Sequence, residues 1–274
     1  MSPRSSVALA RQIRLDALEM TSRAGSAHIG SAFSCADIVA VLYAGVLRHW
    51  PHVAKAEADR FILSKGHAAS ILYAALARSG ALAIDDLRKF GADDSMLSGH
   101  PNTHASEAID LSTGALGHGL GVACGMALAM SLTSSPRRVF VLLSDGELDE
   151  GSNWEAFLFA AHHRLHGITA VIDYNNLQSL GTVANTLGLE PIVDKLSAFG
   201  WDVVDVNGHD HAALHAALLA RSDRPRAIVA RTVKGKGVDF MENQVLWHYR
   251  PAHDAELAAA RLQLSAGGTP GDAP

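Results

Sequence analysis

The second half of the chain alternates short apolar runs with segments of mixed polarity. Two apolar runs cover residues 139–143 and 168–172, and each is followed by a polar cluster. Apolar runs of about five residues that end in a turn are typical of strands in a buried parallel sheet. The pattern predicts a first strand from Val139, a second at 168–173, and further strands at 202–206 and 226–232. It predicts helices at 152–165, about 191–199 and 210–221. This alternation indicates right-handed βαβ units, and therefore an α/β fold whose central parallel sheet is flanked by helices.

The first half of the chain has the periodicity of helices. Residues about 6–23 carry apolar side chains at helical spacing from Leu9 to Met20, which predicts an amphipathic helix. The spacing of Ser34 and Asp37 resembles a capping box and predicts that another helix starts there. Further helices are expected after Gly66 and Gly121.

The polar clusters that follow the two apolar runs are candidates for a ligand site. Parallel sheets bind ligands at the carboxyl ends of their strands, so both clusters are expected at the ligand edge. Asp145 offers a carboxylate, Asn175 an amide oxygen, and Gly146 a backbone that can approach phosphate closely. This set suits octahedral Mg²⁺ held against a diphosphate. The alternative is a plain strand-to-helix turn followed by an asparagine-rich loop.

Length and composition indicate an enzyme-like globular protein. The chain has 274 residues, 48% of them hydrophobic and 19% charged, with a net charge of −5. That charge gives no general attraction to nucleic acid or to acidic membranes. No apolar stretch reaches the roughly 18 residues of a spanning helix and the N-terminus lacks a secretory signal, so a cytoplasmic location is predicted.

Domain organisation and cysteine usage are simple. Residues 1–252 are interpreted as one domain, and 253–274 as the end of a C-terminal helix followed by a small, polar, disordered tail. Cys35 and Cys124 stand apart without CxxC spacing. We therefore expect two core cysteines rather than a disulfide or a zinc site.

Histidine is unusually frequent, at fifteen residues. Several lie in loops beside glycine or alanine, a setting that places an imidazole next to bare backbone and is typical of sites. These are His28, His67, His100 and His118. The others in helices or polar connectors are interpreted as structural, namely His162, His163, His166, His209, His211, His215 and His253.

These motifs together resemble transketolase over nearly the whole chain. The segments that carry the resemblance are Gly25 to Gly30, Leu63 to Ala69, Gly99 to Pro101, Thr113 to Gly119, Asp145 to Gly151 and Lys234 to His248. One departure is Ser144, which replaces the first glycine of the usual Gly-Asp-Gly of the thiamin diphosphate motif. Transketolases normally continue with a pyrimidine-binding domain and a C-terminal domain, whereas this chain stops soon after His248. It therefore resembles the N-terminal subunit of a split transketolase, with 1–252 as the thiamin diphosphate-binding domain.

The resemblance implies roles for individual residues. Mg²⁺ or Ca²⁺ would be held by Asp145, the Asn175 side chain and the backbone oxygen of Leu177. Cofactor contacts are implied for His67, Gly114, Leu116, Asp145, Gly146, Glu147, Asn175 and His248. Catalytic roles are implied for His28, His67, His100, His248 and Glu150. In the family, Glu150 would link two cofactor sites across the interface between subunits, although a charge at a helix N-terminus is the alternative.

The implied reaction transfers a two-carbon ketol unit from a ketose, expected to be phosphorylated, to an aldehyde acceptor. The unperturbed imidazole pKa of roughly 6.5 suits the proton transfers. The family's catalytic glutamate and phosphate-binding arginines belong to the pyrimidine-binding domain, so activity would require a C-terminal subunit, most simply as α₂β₂. Two alternatives stay open. One is an E1-type or transketolase-like component that uses a non-sugar acceptor, and the other is a non-catalytic scaffold. Lys234 and Lys236 could meet a phosphate, but a solvated loop after the strand at 226–232 is the favoured interpretation.

Overall fold

A five-stranded parallel sheet forms the centre of the molecule, as the apolar runs predict. The computed structural model describes residues 3–266. The strands are β1 (Arg60–Leu63), β2 (Val139–Ser144), β3 (Ile168–Tyr174), β4 (Asp202–Asn207) and β5 (Arg226–Arg231). Their order across the sheet is β1-β2-β3-β5-β4. Every neighbouring pair is parallel, so the carboxyl ends of all five strands share one edge.

Ten α-helices surround the sheet in residues 3–266. They are α1 (Pro3–Ala24), α2 (Ile29–Ser34), α3 (Ala36–Val41), α4 (Ala69–Arg78), α5 (Gly119–Leu132), α6 (Gly151–His162), α7 (Val183–Thr186), α8 (Ile192–Ala198), α9 (His211–Leu219) and α10 (Asp254–Ala266). Short 3₁₀ segments occupy Gly66–Ala68, Ile84–Lys89, Gly146–Asp149 and Val245–His248. A π-helical turn at Leu42–Val46 follows α3.

Alternate residues of each strand face opposite layers of the core. In β2, Phe140 and Leu142 belong to the cluster formed with α1, α3 and α4, while Val141 and Leu143 belong to the cluster formed with α5 and α6. Because both faces are covered, the strand is buried throughout and its sequence is continuously apolar. This two-sided burial explains why the apolar runs identified the strands.

The predicted elements of the second half are confirmed, with small shifts of their ends. Helix α6 ends at His162 because Arg164 adopts a left-handed conformation with φ 50°. Helix α9 begins after Asp210, whose carboxylate accepts hydrogen bonds from the backbone of Ala212 and Ala213. Cys35 and Cys124 are buried and free, as predicted.

The helices predicted for the first half are present, but Ser34 does not have the capping role that its spacing predicts. Ser34 is the last residue of α2 and does not cap the next helix, because its hydroxyl donates to the buried Asp173 carboxylate instead. Asp37 is paired with Arg14. Helices α3 and α4 begin close to their predicted positions, and α5 begins at Gly119, slightly before the predicted start. Strand β1 was not predicted at all.

The C-terminal helix α10 contacts α1, and its residues Ala260 and Leu264 are buried. The domain boundary at 252 stays a prediction, and residues 267–274 of the predicted tail lie outside the described part of the chain. Within residues 3–266, no helix combines the length and the apolar character that crossing a membrane requires.

Candidate active site

The predicted site residues lie at the carboxyl edge of the sheet, where four neighbouring strands end. Gly66 and His67 follow β1, Asp145 follows β2, Asn175 follows β3 and Lys234 follows β5. Because β1, β2, β3 and β5 are consecutive in the sheet, their ends form one continuous edge. Segments far apart in sequence are thereby brought together for ligand binding.

Four histidine rings gather above this edge. The ring of His28 lies 4.8 Å from that of His248, 5.3 Å from that of His67 and 6.3 Å from that of His100, between centroids. His28 precedes α2 in a left-handed conformation with φ 74°, and its backbone N–H donates to the His248 carbonyl at 3.0 Å. The glycine-loop argument selected three of these residues, His28, His67 and His100, and the family resemblance added His248. Their chemical roles stay predictions.

Glycines allow the loops around the cluster to pack closely. A Cβ on Gly66 would lie 2.7 Å from the Thr113 hydroxyl oxygen and 2.9 Å from the backbone nitrogen of Gly114. A Cβ on Gly114 would lie 3.2 Å from the ring of His100. The loop that contains Gly114 therefore lines the histidine cluster, and side chains at these two positions would push the segments apart.

Leu116 and His118 lie further along the same loop. Leu116 is half-buried, and its carbonyl accepts a hydrogen bond from His118 Nδ1 at 3.0 Å. The His118 ring is exposed and has no ring contact with the four clustered histidines. A glycine-loop setting alone therefore does not place a histidine in the cluster.

Asp145 is a buried carboxylate held by backbone donors. Its Oδ1 accepts from the N–H of Gly146 at 2.7 Å, and its Oδ2 accepts from the N–H of Asn176 at 2.6 Å. Burial raises the pKa of Asp145 to about 6, and the nearby Asp173 carboxylate adds to the shift. A cation near Asp145 would therefore stabilise its ionised form.

The other two proposed metal ligands, Asn175 and Leu177, lie on the loop that follows β3. Asn175 Oδ1 accepts from the N–H of Leu177 at 3.1 Å, and the Leu177 carbonyl accepts from Lys234 Nζ at 2.7 Å. Carboxylate, amide and carbonyl oxygens are hard donors that fit Mg²⁺ or Ca²⁺. No group of three or more His, Cys, Asp or Glu side chains within 3–266 could hold a metal. A metal here would therefore need further oxygens from a ligand or water.

A buried ion pair supports the site from below. Lys65 and Asp173 both have fully buried side chains and form a salt bridge. Lys65 Nζ also donates to the Ser31 carbonyl at 3.0 Å, and Asp173 accepts from the Ser34 and Thr232 hydroxyls. Burial alone would lower the pKa of Lys65, but the Asp173 charge outweighs it and raises the pKa. Sequence reasoning missed this pair, although Lys65 adjoins Gly66-His67.

Lys234 contradicts the interpretation of its segment as a solvated loop. Its side chain is buried, and Nζ lies 2.7 Å from the Leu177 carbonyl oxygen and 3.1 Å from His248 Nδ1. Burial, together with the Lys65 charge, lowers the pKa of Lys234 to about 8. Lys234 is buried by residues distant in the chain, whereas the glycines beside it in the sequence suggested a solvated loop. Lys236 is only half-buried.

Burial favours the neutral form of three of the four clustered histidines, His28, His67 and His248. Burial lowers the pKa of His28 to about 4, with contributions from His100 and Lys234, and that of His248 to about 3, with a contribution from Lys234. Burial also lowers the pKa of His67 well below its ordinary value. The His67 Nε2 lies 2.7 Å from the Ser31 hydroxyl, so it has a hydrogen-bond partner in the neutral state.

Acid should destabilise the chain through His28 and His248. Their folded pKa values lie below the ordinary 6.5, so the unfolded chain binds more protons at acid pH. The associated stability is fully present above pH 6.5 and is lost as the pH falls through the folded pKa values of about 4 for His28 and about 3 for His248. In thermal unfolding followed by circular dichroism, wild type should lose melting temperature more steeply over this interval than His28→Asn/His248→Asn. His162→Asn/His163→Asn is the exposed control, and equal slopes for all three proteins would contradict the assignment.

The two glutamates of the site segment differ in environment. Glu147 is buried, and its carboxylate accepts from the N–H of Gly117 at 3.0 Å, from that of Ser144 at 3.4 Å and from the Ser64 hydroxyl. These bonds tie the glycine loop to β2. Glu150 is exposed at the N-terminal end of α6 and makes no capping bond there. The cofactor contact of Glu147 and the linking role of Glu150 stay predictions.

A large cavity lies at the opposite edge of the sheet, far from this chemistry. It has a volume of about 710 Å³ and is lined by residues that include Arg48, Arg138 and Arg226. These three arginines donate to backbone carbonyls and to Asp59 or Asp202. Their charges therefore have local partners, and the cavity is not part of the candidate site.

Comparison with known proteins agrees with this geometry. Residues 5–270 match the family described as transketolase, thiamine diphosphate binding domain. One of the subunits of the apulose-4-phosphate transketolase of Phocaeicola vulgatus is 37% identical over 236 residues, which cover 85% of this chain and 84% of that protein. The 6-deoxy-6-sulfo-D-fructose transketolase subunit SqwG of Clostridium sp. is 36% identical over 260 residues, covering 93% and 94%.

Longer transketolases match over a smaller part of their length. Human transketolase is 39% identical over 249 residues, which cover 88% of this chain and 39% of the human protein. The solved transketolase of Campylobacter jejuni superposes with a TM-score of 0.91 at 28% identity, covering 97% of this chain and 43% of that chain. The fold and the site thus define a thiamin diphosphate-binding domain of a transferase. The chain belongs to the transketolase family.

Proposed function

We propose that this chain is the N-terminal, thiamin diphosphate-binding subunit of a split transketolase. The observation that carries the proposal is the convergence of the four-histidine cluster with Asp145 and Asn175 at one sheet edge. The split organisation is supported by relatives that are themselves named as subunits and that this chain covers over most of their length. The proposed reaction is transfer of a two-carbon ketol unit from a phosphorylated ketose to an aldehyde, in the cytoplasm.

The donor set supports binding of a metal-bound diphosphate. We assign the metal to the oxygens of Asp145, Asn175 and Leu177, and the diphosphate to the bare backbone at Gly146 and to His67. The Lys234 ammonium, which lies at the Leu177 carbonyl, would add a second positive charge facing the diphosphate. Bound thiamin diphosphate would supply the electron sink for carbon–carbon cleavage.

The histidine cluster suits recognition of a polyhydroxylated donor. A neutral imidazole both donates and accepts hydrogen bonds, and the rings of His28, His100 and His248 lie together. The negative charge of a diphosphate would raise the pKa values of nearby imidazoles and so bring proton transfer nearer to neutral pH. An oxo acid donor has fewer hydroxyls to contact, so the cluster favours a sugar over the E1-type alternative.

Exposed apolar side chains on two contacting helices support assembly with other subunits. Helices α5 and α6 expose the side chains of Val122, Leu132, Leu158 and Phe159. Exposed large apolar groups on adjacent helices are typical of interfaces between subunits. Glu150 immediately precedes α6, so we place it between these exposed side chains and the site. We propose an α₂β₂ assembly in which the partner contributes the pyrimidine-binding domain.

Reconstitution tests the split-enzyme proposal. The purified chain with cofactor and Mg²⁺ should give no ketol transfer between a ketose phosphate and an aldehyde, because half of the active site is expected to lie on the partner. Activity should appear when the partner is added, and a coupled aldose assay would follow it. Turnover by the chain alone, or inactivity of the mixture with every donor in a panel, would contradict the proposal.

A further inference from the structure

A buried aspartate behind the candidate site holds two histidines. Asp37 in α3 accepts from both terminal nitrogens of Arg14, at 2.9 and 2.6 Å. It also contacts His209 Nδ1 at 2.6 Å and His211 Nε2 at 3.1 Å. Burial alone would raise the pKa of Asp37, but Arg14 and the histidine hydrogen bonds leave it well below the ordinary range. These contacts therefore favour the ionised form of Asp37, which acts as a hydrogen-bond acceptor.

The hydrogen bonds of His209 define its tautomer. Its Nδ1 faces the Asp37 carboxylate and must donate, while its Nε2 accepts from the backbone N–H of Val233 at 2.8 Å. The ring is thus neutral, with the proton on Nδ1. A carboxylate that accepts from one imidazole nitrogen fixes the tautomer of a neutral ring, so the other nitrogen is a hydrogen-bond acceptor.

The hydrogen bond to Val233 connects His209 to the candidate site, because the next residue is Lys234. The same segment is held on both sides, by the Thr232 hydroxyl on Asp173 and by the Gly235 N–H on the Gly30 carbonyl at 2.9 Å. Without His209, the Val233 N–H would lose its acceptor in a half-buried position. The backbone that carries Lys234 would then lose one of the hydrogen bonds that fix its position.

His211 provides an internal comparison. It shares Asp37 with His209, but its Nδ1 lies 2.8 Å from the Ser6 hydroxyl in α1 and makes no bond to Val233. Both histidines bind the same carboxylate in the same buried cluster. Of these two rings, His209 is the one that connects the cluster to the segment that carries Lys234.

We infer that His209 is a positioning residue, which holds Val233 so that the Lys234 ammonium faces the diphosphate end of the cofactor site. The inference rests on the proposed function, because it takes thiamin diphosphate as the ligand. It departs from the interpretation of His209 as a purely structural histidine. For His211 the structural interpretation is kept.

The test compares His209→Ala with His211→Ala in the chain assembled with its partner. Both variants should lose a similar amount of thermal stability, since each removes one partner of Asp37. Only His209→Ala should speed hydrogen exchange at the Val233 amide and weaken binding of Mg²⁺–thiamin diphosphate, by about tenfold in calorimetry, as expected for a lost positioning contact. His209→Gln keeps a donor and an acceptor and should recover part of the affinity.

Two outcomes would overturn the inference. One is equal cofactor affinity in His209→Ala and His211→Ala, and the other is unchanged exchange at Val233 in His209→Ala. An Asp145→Ala variant, measured in the same way, distinguishes failure of the positioning inference from failure of the proposed function. If Asp145→Ala binds the cofactor like wild type, the proposed site itself is wrong; if it does not bind while the two histidine variants behave alike, only the positioning role fails.

Discussion

Asp145→Ala is expected to abolish metal-dependent binding of thiamin diphosphate. The Asp145 carboxylate is the only acidic group among the three proposed metal ligands. Its removal leaves the amide and carbonyl oxygens of Asn175 and Leu177, which carry no negative charge. Loss of the charged ligand of a divalent cation should weaken cofactor binding by at least about 100-fold, roughly 2.7 kcal/mol. Calorimetric titration of the assembled protein with cofactor, with and without Mg²⁺, measures the effect.

Two further variants separate charge from shape and from folding. Asp145→Asn keeps a side-chain oxygen and the size of the side chain but removes the charge, and we expect it to bind almost as poorly as the alanine variant. Asp223→Ala changes an exposed aspartate in the connection before β5 and should bind like wild type. Circular dichroism checks that each variant is folded. Wild-type affinity in a folded Asp145→Ala protein would exclude Asp145 as the metal ligand.

The elements that sequence could predict are those whose environment is uniform along the chain. Strands β2 and β3 are buried on both faces, so their apolar runs were sufficient to identify them. Strand β1 has only four residues, and the first of them is the charged Arg60, whose partner Asp110 lies in a distant loop. Asp110 meets Arg60 only in the folded structure, so the local sequence does not indicate that this segment is a strand.

The same limit applies to the candidate site. Glycine neighbours and the family motif selected His28, His67, His100 and His248, which do lie together. They did not identify the buried pair beneath them or the burial of Lys234. Those features arise from contacts between strand ends, and strand order cannot be read from local patterns. In the same way, Ser34 has a helix-capping pattern but uses its hydroxyl for Asp173.

The position of the buried pair suggests how the site is preorganised. Asp173 lies near the end of β3 and binds hydroxyls from α2 and from the segment after β5, while Lys65 follows β1 and binds the Ser31 carbonyl. The pair thereby fixes the relative positions of the segments that carry His67 and Lys234. Rigid support from buried polar contacts is what a preorganised binding site requires.

Lys65→Met should strongly destabilise the protein. The substitution removes the ammonium but leaves the fully buried Asp173 carboxylate with only hydroxyl donors among its side-chain partners. Breaking a buried ion pair on one side costs about 3–5 kcal/mol, because an uncompensated charge stays in the interior. Chemical denaturation of the assembled protein should show this loss. Lys89→Met, which removes an exposed lysine paired with Asp86, is the matched control and should leave the midpoint unchanged.

The double variant Lys65→Met/Asp173→Asn tests the physical cause. If the unpaired charge is responsible, neutralising Asp173 in the Lys65→Met background should restore part of the lost stability, since asparagine can still accept a hydrogen bond from the Ser34 or Thr232 hydroxyl. Additive losses in the double variant would show that packing around the lysine stem, and not charge, is what the single variant loses. A Lys65→Met protein as stable as the Lys89→Met control would refute the buried pair as a main support of the site.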